Sequence, residues 1–393
     1  MKKVYLDNAA TTKVDPEVFS VMKPFFADKF GNASEPHAWG QAARQAVDQA
    51  REQVASALGA DPQEIIFTSC ATESINLAHK GLVEALGKPE AHLITTATEH
   101  KAVLETCSHL EKTNQAKVTL LPVDQDGLLK LEDLKKAIRP ETVLVSVMFV
   151  NNEVGTTQPI KEIGLMIKKI NQSRDQVKKI YFHVDATQAI QYLPLNVSQL
   201  EIDLLSLTGH KIYAPKGIGV LYIRKGTPLV RQQDGGGQEY RLRAGTENIP
   251  YIAGLGQAIK QVTQNQTQVA QKVEQLRQKL IKGVLKIKGV KLIGHPTQRA
   301  PHIATFIVKG AEGEAMLLLL SDLGVAASTG SACTSGVLGP SHVLSAMGVP
   351  KNEAHGSLRF SLGKDNTSEE IDYVLKSLPK VINKLRAMAP KGV

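Results

Sequence analysis

Short apolar, β-branched runs alternate along this chain with longer amphipathic stretches, and that alternation limits the fold more than any other feature. "EIIFTS", "AHLITTAT", "TVLVSVMFV", "KIYFHVDAT", "IDLLSL" and "GIGVLYIR" read as strands. Between most of them lie helix-like stretches such as "KEIGLMIKKI". A series of this kind predicts an α/β fold, with a mostly parallel sheet covered by helices. At 393 residues, 42% of them hydrophobic, the chain is long enough to bury roughly three quarters of its unfolded surface and to hold a second unit. The polar stretch "QAIKQVTQNQTQVAQKVEQLRQKLIKGV" reads as one long helix bridging to that smaller unit near the C-terminus. No internal repeat or low-complexity segment interrupts the pattern.

Charge and cysteine usage narrow the function classes. Lys and Arg outnumber Asp and Glu by 47 to 38, a net charge of +9. The lysines are dispersed through helix-like stretches such as "MIKKINQSRDQVKKI", which fits solvated helix faces better than direct nucleic-acid binding, since no aromatic-interleaved basic motif accompanies them. An acidic protein partner stays open. Cys70, Cys107 and Cys333 are too few for a disulfide framework, and no C-x-x-C pair is present to ligate zinc. The N-terminus reaches Asp7 before any signal-like apolar region develops, and runs such as "AMLLLL" fall far short of a bilayer span, so a cytoplasmic protein without membrane attachment is expected.

The chemistry collects where strands end. "SLTGHKIYAPKGIG" places Lys211 just past an apolar run, and in open α/β sheets ligands sit outside the carboxyl ends of the strands. "KIYFHVDATQAIQ" ends another run at Asp185, with Gln188 shortly after. An isolated buried carboxylate is costly, so Asp185 either caps the following segment or faces a cationic partner. A lysine that can form an imine and an acid that can face a pyridinium nitrogen are what pyridoxal 5'-phosphate needs. "EIIFTSCATESINLAHKG" offers a phosphate cradle: a strand, Thr68 and Ser69, then Ala71 and Thr72 opening a helix. Simple capping explains that stretch equally well. Thr208 and His210 add donors beside Lys211.

Nine motifs, in order, then carry a resemblance: "YLDNAATT", "TSCATESINLA", "ATEHKAV", "VNNEVGTTQPI", "HVDATQA", "GHKIYAPKGIGVLYIR", "GGGQEYRLRAGTENI", "STGSACTSG" and "SLRFSLG". Together they resemble the cysteine desulfurases of the nitrogen-fixation and iron-sulfur-assembly type, over essentially the whole chain. The resemblance implies a fold-type-I pyridoxal-phosphate enzyme of the class V aminotransferase group, working as a homodimer. It implies a large domain over residues 15–260 with a seven-stranded sheet, and a smaller α+β domain from residues 1–14 and 261–393. Lys211 would carry the cofactor, Asp185 would pair with its ring nitrogen, and His100 would stack on the ring and move protons. Ala71, Thr72, Thr208 and His210 would hold the phosphate, with Thr246 supplied by the neighbouring subunit. Asn151 and Gln188 would hydrogen-bond cofactor and substrate, and Arg359 would clamp the substrate carboxylate.

Cys333 stands among Gly330, Ser331, Ser335 and Gly336, a composition that predicts a mobile loop over about 328–340. The resemblance makes it the thiol that takes sulfur from L-cysteine, leaving L-alanine, and hands it to an acceptor such as an iron-sulfur scaffold or a tRNA-thiolation enzyme. No bound metal is implied, beyond transient contact of Cys333 with a partner's cluster. Selenocysteine lyase or another class V enzyme is the rival reading. The chain departs from the family pattern at Cys70, where a glycine is usual, in the segment "GNASEPHAWG", and in its short tail "LRAMAPKGV".

Overall fold

Every residue of Thr142–Met148 is buried, as befits a strand covered on both faces. The computed structural model describes residues 2–88, 90–175, 178–330 and 341–388. In chain order the strands are β1 (Val4–Tyr5), β2 (Ile65–Thr68), β3 (His92–Thr96), β4 (Lys117–Leu121), β5 (Thr142–Met148), β6 (Tyr181–Asp185), β7 (Leu204–Thr208), β8 (Gly219–Ile223), β9 (Val290–Ile293), β10 (Ile303–Val308), β11 (Val325–Ala326) and β12 (Ser357–Ser361). Seven form one sheet in the order β2-β8-β7-β6-β5-β3-β4. Only β8 opposes the rest, being antiparallel to both β2 and β7. The ten residues between Thr208 and Gly219 are too few for a crossover helix, so the chain must turn back on itself. The parallel strands bring their carboxyl ends to one edge.

Helices cover this sheet with apolar stripes. Ala38–Leu58 buries Ala43, Val47, Ala50, Val54 and Leu58 at steps of three and four, and ends at Gly59 in the left-handed conformation (φ 65°). It packs against Ile249–Gln264. The polar stretch expected as one long helix is two: the chain breaks at Asn265 (φ −113°, ψ 18°), and Gln266–Val284 begins a new helix. The first half buries Leu255, Ala258 and Ile259 on the large sheet, whereas the second buries Val273, Leu276 and Leu280 on a separate core. One straight helix could not serve both, and asparagine, whose side chain competes with helical backbone bonds, sits at the bend.

That second core belongs to a smaller antiparallel sheet, β12-β10-β9, packed with Gln266–Val284 and Ser368–Met388 around Phe306, Leu358, Phe360 and Val374. Strand β1 pairs in parallel with β11, and Asp7 bridges to Ser361 at the end of β12. From there the N-terminal segment crosses to the large sheet, where Thr12 and Asp15 donate their amides to the carbonyls of His210 and Tyr213. No described helix is long and apolar enough to cross a membrane.

Candidate active site

The parallel strands deliver their polar ends to one cavity of about 400 Å³. Asp185 closes β6 and pairs in register with Ser206 of β7, and β7 runs on through Thr208 into a single 3₁₀ turn, Gly209–Lys211. Asp185 is buried, and one of its carboxylate oxygens accepts the amide of Thr187. The Lys211 ammonium donates to the carbonyls of Ala9 and Ala10, 2.6 Å each, so the N-terminal segment lies directly on the lysine. Gln188 also donates to the Ala9 carbonyl, at 2.9 Å.

His100 caps the helix Lys101–Lys112, its Nδ1 accepting the amide of Ala102. An Nδ1 that accepts leaves the proton of the neutral ring on Nε2. Burial pulls the His100 imidazole below its ordinary pKa, against the opposing pull of Asp185. His210, whose Nδ1 meets the Thr11 hydroxyl at 3.2 Å, is pushed down to about 4, first by burial and then by Lys211 and Lys216. Behind His100 the buried Glu99 carboxyl is pushed up to about 8 by burial, with Asp185 adding to the rise. It accepts the Thr96 hydroxyl and the Met148 amide.

The helix Ala71–Leu86 opens at the cavity with Cys70 at its N-cap and no side chain capping it. Its first amides are therefore available to an anion, and the helix dipole favours one there. Gly219 makes the turn possible: a Cβ at that position would stand 2.6 Å from the Cys70 carbonyl carbon. This uncapped helix end, a lysine at one strand end and a buried acid at the next fit pyridoxal phosphate.

Arg359, on β12, brings the smaller sheet to the cavity. Its guanidinium donates to Asp7 Oδ1 and to the Asn152 carbonyl, each at 2.8 Å. Among the described residues its buried Nε has no hydrogen-bond partner. A planar donor edge of this kind suits a carboxylate.

Of the residues singled out from the sequence, Ala71, Thr72, His100, Asp185, Gln188, Thr208, His210, Lys211 and Arg359 line the cavity. Asn151 lies just behind it: its Nδ2 donates to the Thr98 carbonyl and its Oδ1 accepts the amides of Glu153 and Val154, while Asn152 lines the wall. Thr246 is exposed and away from the cavity of its own chain. Cys333 and most of the loop expected over 328–340 lie outside the described residues. The flanking Gly330 lines the cavity, and the Ser341 hydroxyl donates to the buried Glu153 carboxylate. Sequence reasoning gave no role to Asp7, Ala9 and Ala10, although "YLDNAATT" holds all three. It also passed over Glu99, Glu153 and His302.

Cys107 sits in the core, where burial pushes its thiol up to about 12. Cys70 is half-buried at the cavity, 3.7 Å from the Ser69 hydroxyl. No group of His, Cys, Asp and Glu among the described residues could hold a metal ion.

Comparison with known proteins agrees with this geometry. The family model for aminotransferase class-V matches residues 4–374. Cysteine desulfurase IscS of Methanosarcina thermophila is 49% identical over 389 residues, covering 99% of this chain and 94% of that one. Its namesake in Dictyoglomus turgidum is 47% identical, covering 99% and 97%. Among solved structures, a NifS-like protein superposes with a TM-score of 0.91 at 40% identity, covering 98% of this chain and all of that one. Another, titled SspA in complex with cysteine, gives 0.80 at 37% identity, covering 93% of this chain and all of that one. The chain therefore belongs to the class-V aminotransferase family and, within it, to the pyridoxal-phosphate-dependent cysteine desulfurases, with their α/β fold of a large mostly parallel sheet and a smaller sheet domain.

Proposed function

We propose that this desulfurase moves sulfur from L-cysteine onto Cys333 and from there to an acceptor protein. The observation that carries the reading is the convergence of Lys211, Asp185, His100 and Arg359 on one cavity whose wall includes Gly330. Cys333 follows Gly330 by three residues, within about 10 Å of chain reach. When bound, the cofactor supplies an electron sink for the substrate α-carbon. Lys211 holds it in place and gives and takes a proton at Nζ. Asp185 keeps the ring nitrogen protonated. The amides at Ala71 and Thr72, with Thr208 and His210, hold the phosphate, and Thr246 of a second copy completes that cradle. Gln188 orients cofactor and substrate, Asn151, its amide engaged by Thr98, Glu153 and Val154, shapes the wall behind them, and Arg359 takes the substrate carboxylate. His100, neutral with its proton on Nε2, moves protons beside the ring.

The sulfur step balances without an outside oxidant. The Cys333 thiolate attacks the substrate sulfur, the new S–S bond forms as the Cβ–S bond breaks, and the carbon takes the proton that completes alanine's methyl group. The transferred sulfur is oxidised and the carbon reduced, leaving a persulfide on Cys333. Cys107 is excluded from this work by its burial, and Cys70 stands at the phosphate end. A reducing cytoplasm keeps such a thiol available, and an iron-sulfur scaffold or a tRNA-thiolation enzyme is the class of acceptor that fits. Residues 15–260 would form the large domain, with 1–14 and 261–393 as the smaller one. The test is an assay of alanine and sulfide from L-cysteine, followed by mass spectrometry of the trapped protein. One extra sulfur on the peptide containing Cys333 is expected; its appearance on Cys70 instead would overturn the assignment.

A further inference from the structure

His302 lies just before β10, in the smaller sheet's part of the chain, and is buried. Its ring stacks on Tyr192, with centroids 4.4 Å apart and planes 22° from parallel. Tyr192 is held in turn by a hydrogen bond from its hydroxyl to the Leu362 carbonyl. His302 Nε2 lies 3.1 Å from Gln188 Oε1.

The proton on this ring follows from its neighbours. The Ala9 carbonyl can only accept, so the Gln188 amide must present its nitrogen there and its oxygen to His302. His302 must then donate through Nε2, which leaves Nδ1 as the acceptor; among the described residues Nδ1 has no partner. Burial, with Arg277, Arg359 and Lys211 adding to it, pushes the ring's pKa down to about 3, so this tautomer persists across the working pH range. With its oxygen held by His302 and one N–H by Ala9, Gln188 has one amide hydrogen left for the cavity it lines. The Ala9 carbonyl also accepts from Lys211, so the same few atoms set both side chains.

We infer that His302 is a positioning residue for the cofactor site, its Nε2–H fixing the Gln188 amide in the one orientation that turns an N–H toward the cofactor. The inference rests on the reading of Gln188 as a cofactor ligand. Without the donor, the amide oxygen loses the hydrogen bond from His302, its partner among the described residues, and the amide rotates or withdraws.

Three variants separate this role from a packing role. His302→Phe keeps an aromatic ring against Tyr192 but removes the donor. His302→Gln places an amide N–H near the former Nε2. Gln188→Ala removes the group being positioned. The readouts are the dissociation constant for pyridoxal phosphate added to the cofactor-stripped protein, and the pH at which the holoenzyme's visible band changes. His302→Phe is expected to weaken cofactor binding about tenfold and to shift that pH, as the loss of one buried hydrogen bond does. His302→Gln should restore binding to within about threefold, and His302→Phe should add less than about twofold in the Gln188→Ala background.

A His302→Phe protein that binds the cofactor like wild type while Gln188→Ala binds weakly overturns the inference alone. So does a His302→Gln as weak as His302→Phe, or a full His302→Phe effect in the Gln188→Ala background. If Gln188→Ala itself leaves both readouts unchanged, the cofactor role of Gln188 falls and the inference with it. Should His302→Phe fail to fold, His302→Met supplies the same donor-free comparison.

Discussion

The two described thiols face different environments, Cys107 in the core and Cys70 half-buried at the cavity, and the proposed sulfur carrier is the third, Cys333. Cys333→Ser is expected to retain the cofactor's visible absorbance, because no cofactor-holding group changes, yet to lose alanine release by about a thousandfold or more, since a hydroxyl cannot supply the thiolate. Cys70→Gly should keep most activity. Single-turnover alanine assays on both variants check this, and a dead Cys70→Gly beside an active Cys333→Ser would reverse the assignment. Glu99 yields a second prediction at this scale. Its carboxyl is near 8 in the fold against an ordinary value near 4.5, so the folded state holds a proton the unfolded chain releases. The associated stability is fully present below about pH 4.5 and is lost as pH rises toward 8. Glu99→Gln, neutral at every pH, should flatten that part of the stability profile in denaturant titrations at successive pH values. An unchanged slope would mean that Glu99 ionises normally.

Among the elements, β8 and the turn into the helix Ala71–Leu86 meet closely at Gly219. Gly219→Ala sets a methyl group against the Cys70 backbone and should cost about 1–3 kcal/mol while weakening cofactor binding, because the displaced turn carries the phosphate amides. Paired thermal melts with and without pyridoxal phosphate measure both effects, and a melt matching wild type would show that the turn yields without cost. The strands and the residues at their ends were legible in the sequence because a buried parallel strand is an unbroken apolar run and its first polar residue marks the ligand edge. Lys211 and Asp185 declared themselves that way, whereas Thr72 is read from the helix opening beyond β2. Asp7, Ala9, Ala10 and His302 did not. Two of these act through backbone carbonyls, which no side chain advertises, and all reach hydrogen-bond partners 114 to 352 residues away. The bend at Asn265 was hidden for a related reason: the polar pattern continues through it, and only the positions of two separate cores require it.

At the level of the whole molecule, Thr246 is exposed in its own chain, yet its motif "RAGTEN" is part of the family resemblance. Assembly and cofactor retention should therefore be linked. Thr246→Ala is expected to weaken pyridoxal phosphate binding about tenfold without altering the sedimentation coefficient of a dimer, whereas dilution to monomer should release the cofactor. Sedimentation velocity with absorbance detection at the cofactor band follows both quantities at once, and a monomer that keeps full activity would refute the link.

The N-terminal segment described above has a consequence for how the enzyme is made. Asn8 bonds to Ser361, Asp7 to Arg359, and β1 to β11, while Ala9 and Ala10 lie on Lys211. Asp7 thus waits for Arg359, which is made 352 residues later. At roughly 5–20 residues per second, that interval is about 20 to 70 seconds. A nascent chain stalled before β12 would carry Lys211 and Asp185 but not the guanidinium that anchors Asp7. The segment that lies on Lys211 therefore gains its Arg359 anchor only once β12 has been made.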